Sequence, residues 1–227
     1  MSLPFKSELD EIKESVEKAL KETEEKNDPK PAVEALKRAI ERAKRKNRLE
    51  ERLKFSTRLV IIEYRFNLPH EAFKDLVEAM EKYVESLKMR KDPKADEYEE
   101  ALYVILALFE PDKVPDEAPD KIRDFVSSLK DYEAFLKRKH EFLDYAKAVI
   151  TKTKVSELAE KGIIEKRLNE IEEELKPLVK KEEKRRFSFS FSLGDRVIVI
   201  RVREGVESIP EDLRERLKSF GIDLAIV

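Results

Sequence analysis

Residues 49–66 read LEERLKFSTRLVIIEYRF, and their apolar side chains do not keep to one face. On a helical wheel Leu59, Val60, Ile61, Ile62, Tyr64 and Phe66 surround most of the axis. A helix that is apolar nearly all round is covered on several sides by other elements. The stretch therefore predicts a central buried helix, with a strand as the lesser reading, and the segments around it must supply its cover.

They do so with a period near 3.6 residues. Upstream, Ser7 is placed to cap a helix carrying Leu9, Ile12, Val16 and Leu20 that ends near Asn27. Asp28-Pro29 opens a second, with Val33, Leu36, Ile40 and Ala43 on one stripe. Downstream, Pro69 opens a helix with Phe73, Leu76, Val77, Met80, Val84 and Leu87, and Asp92-Pro93 opens a fifth that ends in the apolar run Ala101 to Phe109. Val33-Glu34-Ala35-Leu36 with Ile40-Glu41 and Lys44 recurs as Val77-Glu78-Ala79-Met80 with Val84-Glu85 and Lys88, and the Asp-Pro-Lys start at 28 recurs at 92. Such spacings suit helical-hairpin repeats, whose units bury their apolar faces only against neighbours. A likeness between any two amphipathic helices accounts for the same pattern. The expectation for residues 1–110 is an antiparallel helical array resembling helical-hairpin repeats.

Prolines at 111, 115 and 119 exclude a helix and mark residues 111–119 as an ordered loop or linker. Residues 120–185 read as a long helical hairpin. One arm from Lys121 carries Ile122, Phe125, Leu129, Tyr132, Leu136, Leu143, Ala146 and Ile150 near heptad spacing. The other runs from Ile164 through Leu168, Ile171, Leu175 and Leu178, with the turn near Thr151 to Gly162 and a kink or end expected at Pro177. Residues 186–227 read as a small ββαβ element. Two strictly alternating strands flank Gly194-Asp195, so that Phe187, Phe189 and Phe191 form an apolar ladder with Val202, Ile200 and Ile198. An element of this size buries too little surface alone, and the Phe face is a candidate for packing on the helices or for self-association. The fold class expected is mainly α.

Composition excludes more than it establishes. The chain has 227 residues, 48 Lys and Arg against 50 Asp and Glu, and no Cys. The absence of Cys removes disulfides, thiolate nucleophiles and cysteine metal sites. Only four Gly are present, so neither a GxGxxG nor a Walker A loop can be written. No apolar run reaches the roughly 18 residues that span a bilayer, and no secretory signal opens the chain. A cytoplasmic protein without membrane contact is expected. Abundant Lys and Glu with no Gln match the composition of hyperthermophile proteins, and an archaeal source is inferred.

No catalytic constellation stands out, and no cofactor is expected. His70 follows Pro69 and reads as a surface residue. His140 has Asp144 one turn on, which is half a metal site with no second half in view. Charge placement is more informative. Lys37 to Arg58 holds ten basic and three acidic residues, Asp92 to Asp120 holds ten acidic and two basic, and Lys176 to Arg203 holds nine basic and three acidic. The hairpin register sets Arg186 opposite Arg203, with Arg201 on the same face. Facing like charges call for an anion there, either an acidic helix or a phosphate backbone.

The string VSELAEKGII at 155–164, followed by a helix and the basic hairpin, resembles the second helix, turn, third helix and wing of winged-helix DNA-binding domains. The resemblance implies DNA contacts by Lys166, Arg167, Asn169, Arg196 and Arg201. Gly162 falls one residue early for the usual turn, and Glu170, Glu172, Glu173 and Glu174 would oppose phosphate. The function expected from these readings is a non-catalytic helical scaffold or adaptor with a protein partner or a second copy of itself. The alternative is nucleic-acid binding through Arg186, Arg196, Arg201 and Arg203.

Overall fold

The structure is a computed structural model that describes residues 8–183. Chain contacts divide the protein into two units, Met1–Glu172 and Glu173–Val227. In chain order the described helices are α1 (Glu8–Lys26), α2 (Lys30–Arg45), α3 (Leu49–Arg65), α4 (Ala72–Met89), α5 (Ala95–Phe109), α6 (Asp120–Ser128), α7 (Tyr132–Ile150), α8 (Glu157–Glu160) and α9 (Ile163–Glu183). A 3₁₀ turn covers Pro111–Lys113. All regular structure among the described residues is helical. Ser7 and the expected ββαβ element, with Phe187, Phe189, Phe191, Arg186, Arg196, Arg201 and Arg203, lie outside them.

The first five helices form a meander in which α1 packs on α2, α2 on α3, α3 on α4 and α4 on α5. Ion pairs add a second relation. Lys13 with Glu51, Glu17 with Arg58 and Glu24 with Arg65 run in the same chain order along both helices, so α1 and α3 lie parallel. This is the geometry of stacked helical hairpins.

Helix ends are built from one device used repeatedly. Asn27, Asn47, Asn67 and Lys91 have φ near +50° and follow α1, α2, α3 and α4. After the last three of these helices the Arg48 N–H donates to the Ala43 carbonyl at 2.8 Å, the Leu68 N–H to Glu63 at 2.9 Å, and the Asp92 N–H to Leu87 at 3.0 Å. These are the six-to-one bonds of Schellman motifs. Asparagine enters the left-handed region at low cost, and three of the four Asn in the chain stand at these ends, twenty residues apart. The repeated Asp-Pro-Lys starts also match. Asp28 Oδ1 accepts from the Lys30 N–H at 3.1 Å, and Asp92 Oδ1 accepts from the Lys94 N–H at 2.9 Å.

The core follows most of the expected stripes, although Leu20 of α1 and Phe73 of α4 are only half-buried. On α2 the buried residues are Ala32, Ala35, Leu36, Ala39, Ile40 and Ala43, and Val33 is only half-buried. Alanine at four of these positions lets neighbouring helices approach closely, which centres the contact on Leu36 and Ile40 and leaves Val33 at its margin. Leu53, Phe55, Leu59, Val60, Ile62 and Tyr64 of α3 are buried, and so are Leu102, Val104, Ile105, Leu106 and Leu108 of α5. Each such side chain contributes roughly 1.5–3 kcal/mol relative to exposure. The proline-marked segment is an ordered loop of the first unit. Its Ala118 is buried, and the Ala118 carbonyl accepts from Arg123 Nε at 2.9 Å.

The long helix expected from Lys121 is two helices. The chain breaks between Ser128 and Tyr132, where Asp131 Oδ1 accepts from the Glu133 N–H at 2.8 Å and the Ala134 N–H at 3.3 Å and so caps α7. The break resets helical phase, and the heptad spacing expected across it fails. Phe135 and Phe142 turn inward, with Phe142 stacked on Phe125 of α6 at 3.7 Å between ring centres, while Leu136 is 39% exposed. The antiparallel approach of α7 to the start of α9 rests on Lys147 with Glu165, and on Lys139 with Asn169 and Glu172. Pro177 does not end α9. Asp131→Ala is expected to destabilise the first unit by about 1 kcal/mol, with Asp131→Asn near neutral because both side chains cap well. Guanidinium denaturation of the two variants measures the difference.

Candidate functional site

A groove with a volume of about 610 Å³ lies along the α1–α3 row. Leu20 of α1, Ile61 and Ile62 of α3, and Ile163 of α9 supply its apolar surface. These come from helices whose other faces are committed to the core, so the groove is held by the packing of the array rather than by loops. Its walls carry Glu17, Lys21, Glu24, Arg58, Arg65, Glu157, Lys161 and Lys166.

The walls are electrostatically organised. Arg58 joins Glu17, and its Nε lies 3.8 Å from Glu157 of α8. Arg65 Nη1 lies 3.2 Å from Glu24. All three wall carboxylates are thereby engaged by arginine. Lys161 and Lys166, by contrast, have no carboxylate within ion-pair distance among the described residues. The groove thus pairs an apolar floor with two unopposed cations on the α8–α9 side. At 610 Å³ it falls within the usual range for ligand clefts, roughly 300–1,000 Å³.

A second polar cluster ties α3, α5 and α9 together. His70 stacks on Tyr64 at 4.0 Å between ring centres, and its Nε2 lies 3.5 Å from Glu170. The Tyr64 hydroxyl donates to Glu170 at 3.1 Å. Arg167 Nε donates to the Leu108 carbonyl at 2.9 Å, its Nη1 donates to Glu170 at 3.2 Å, and its guanidinium covers the Phe109 ring at 5.8 Å. His70 is therefore half-buried rather than a plain surface residue. Of the three α9 positions singled out by the winged-helix resemblance, Arg167 is held in this cluster and Asn169 accepts from Lys139 at 2.7 Å. Lys166 alone projects into the groove without an ion-pair partner among the described residues. His140 is exposed, and Glu141 beside it lies within ion-pair range of Arg138 and Lys121. Among the described residues no three His, Asp or Glu side chains come together in a metal-binding group.

One titratable residue that sequence reasoning missed stands out. Glu63 is 5% exposed on α3 and accepts the Ala72 N–H with both carboxylate oxygens, at 3.1 and 3.0 Å. It caps α4 from a neighbouring helix, a structural role. Its signal in the sequence is that it is the one carboxylate inside the apolar run Leu59 to Phe66. Burial raises its pKa to about 7, against the Ala72 hydrogen bonds that lower it.

Compared with known proteins, the chain matches no family model, no curated protein and no solved structure.

Between the usual carboxyl pKa of 4.5 and about 7, folded Glu63 holds a proton that the unfolded chain has released. Stability therefore falls as pH rises through that window, by about 3 kcal/mol for a shift of this size. Guanidinium denaturation at pH 5 and pH 8 is expected to show this loss in the native chain and to show it largely removed in Glu63→Gln. An equal pH dependence in both proteins would assign the effect elsewhere.

Proposed function

We propose that the chain is a non-catalytic helical scaffold that binds a segment of a protein partner in the α1–α3–α8 groove. The observation that carries the reading is the groove's construction. Half-buried Leu20 and Ile61 offer an apolar strip above buried Ile62 and Ile163, the arginine–glutamate pairs stiffen its walls, and Lys161 and Lys166 give it polarity. An amphipathic helix laid on such a strip buries its apolar face and directs acidic side chains to the lysines, which is a recurring mode of peptide recognition. The stacked-hairpin arrangement supports the same reading, since arrays of this kind use their helix rows as extended binding surfaces. The groove carboxylates are held by arginine, an arrangement suited to shape and charge complementarity rather than to proton transfer.

Leu20→Glu and Ile61→Glu place charge on the half-buried strip without touching the fully buried core. Each is expected to weaken partner capture more than about tenfold, as for residues at the centre of an interface. Affinity capture from source-cell lysate with native and variant chains, read by quantitative mass spectrometry, makes the comparison. A partner set unchanged by both variants would remove the groove from the reading. A monomer by light scattering that captures no protein would remove the reading itself.

A further inference from the structure

Of the ten basic residues in Lys37 to Arg58, four are ion-paired in the structure, and among the described residues Lys37, Lys54 and four arginines are not. Lys44, Lys46, Arg52 and Arg58 pair with Glu78, Glu8, Glu78 and Glu17 respectively. Arg38, Arg42, Arg45 and Arg48 are exposed, and among the described residues none lies within ion-pair distance of a carboxylate, Glu34 and Glu41 of the same helix included. Arg38, Arg42 and Arg45 stand at i, i+4 and i+7, one face of α2 about 10 Å long. Arg48 continues the row around the turn.

The helix dipole accounts for part of this. Cations are favourable in the last turn of α2, where Arg42 and Arg45 lie. It does not account for Arg38, two turns from that end, nor for Arg48. Arg48 occupies the N-cap of α3 and makes no side-chain capping bond. A cation there faces the positive end of the α3 dipole at a position where Ser, Asp or Asn would stabilise the helix.

Beside the row lies a cavity of about 180 Å³. Ile12, Ala39, Ala43 and Phe55 give it apolar walls, and Arg42, Lys46 and Arg48 stand at its rim with Glu8. Its volume is below the roughly 300 Å³ at which drug-sized clefts begin, so it suits one ring system rather than a row of side chains. A small apolar pocket whose rim carries three cations against the single carboxylate of Glu8, itself joined to Lys46, is the combination that single-stranded nucleic acid uses, with a base on apolar surface and phosphates on cations. A duplex would engage the arginines and leave the cavity unused.

We infer that Arg38, Arg42, Arg45 and Arg48, with the cavity between α1, α2 and α3, form a docking surface for single-stranded nucleic acid. This surface is separate from the groove and stands whether or not the groove binds protein.

The test uses the full chain and fluorescence anisotropy with three probes: a twelve-residue oligothymidine, a strand of equal length and charge lacking bases, and a duplex. The oligothymidine is expected to bind best. Its affinity should fall with salt, and the slope should become shallower by about 2 in Arg38→Gln/Arg42→Gln/Arg45→Gln, since each phosphate neutralised on a single strand adds roughly 0.7 to it. At low salt this variant should bind at least about tenfold more weakly. These side chains are exposed, so an unchanged melting curve confirms the fold, and Lys137→Gln on the exposed face of α7 should bind as the native chain does. No binding by the native chain, or equal binding by the triple variant, overturns the proposal. Equal affinity for the strand without bases overturns the role of the cavity. Displacement of oligothymidine by polyglutamate of equal charge overturns the choice of nucleic acid over an acidic protein.

Discussion

Arg52 carries a full positive charge on α3 to a position where 1% of its side chain meets solvent. A charge so placed is tolerated only when a counter-charge is fixed beside it, and here the partners come from the next helix. Arg52 Nη2 lies 2.7 Å from Glu78 and 3.8 Å from Asp75, both on α4. Glu78 is held at a pKa of about 2, first by the Arg52 hydrogen bond and then by that of Lys82. Lys44 of α2 reaches the same carboxylate at 3.6 Å. One acid thus fixes three helices. At the far end of the α3–α4 hairpin the signs reverse, with buried Glu63 receiving the Ala72 N–H. Apolar packing would permit α4 to slide along α3. The two polar anchors set its register, because a shift of one turn would strand a buried charge, which costs several kcal/mol.

This arrangement revises the meaning of charge segregation along the chain. The basic segment 37–58 and the acidic segment 92–120 do not neutralise each other among the described residues. Partners for the basic segment come from α1, α4 and α8, through Glu8, Glu17, Asp75, Glu78 and Glu157. The acidic segment finds its own partners, with Glu99 on Lys88, Glu100 on Tyr145, Glu110 on Lys113 and Asp120 on Arg123. Pairing is decided by which helices are neighbours, and blocks of sequence charge do not encode that.

The helices of the array and their buried faces were legible because apolar periodicity reports burial directly. Leu36, Ile40, Leu76, Met80 and Ile105 all lie where the period places them. The break at Leu129 to Asp131 was not legible. No Gly or Pro marks it, and the capping bonds of Asp131 that create it belong to a residue type equally at home on a helix surface. The helix ends carry a plainer mark, since Asn27, Asn47 and Asn67 recur at a fixed interval in a chain with one other Asn. The groove was invisible for a different reason. Leu20 and Ile61 each look like ordinary core positions, and only the third dimension leaves them partly uncovered together. Glu63 and Arg52 show the complementary failure, because fifty acids and forty-eight bases hide the few that are buried.

The meander of α1 to α5 also governs how the chain acquires its shape. Each helix packs on the one that follows it, across turns of only a few residues. Closing such short loops costs little entropy, and topologies of low contact order fold quickly. In arrays of this kind nucleation can begin at any adjacent pair of helices, and growth adds the next helix to an exposed edge. The same locality works in reverse under heat or force. Among the described residues α1 packs on α2 and is joined to α3 mainly by surface ion pairs, so opening begins there while the doubly covered α3 is the last to lose its neighbours. The array is in this sense a zipper with its strongest tooth in the middle.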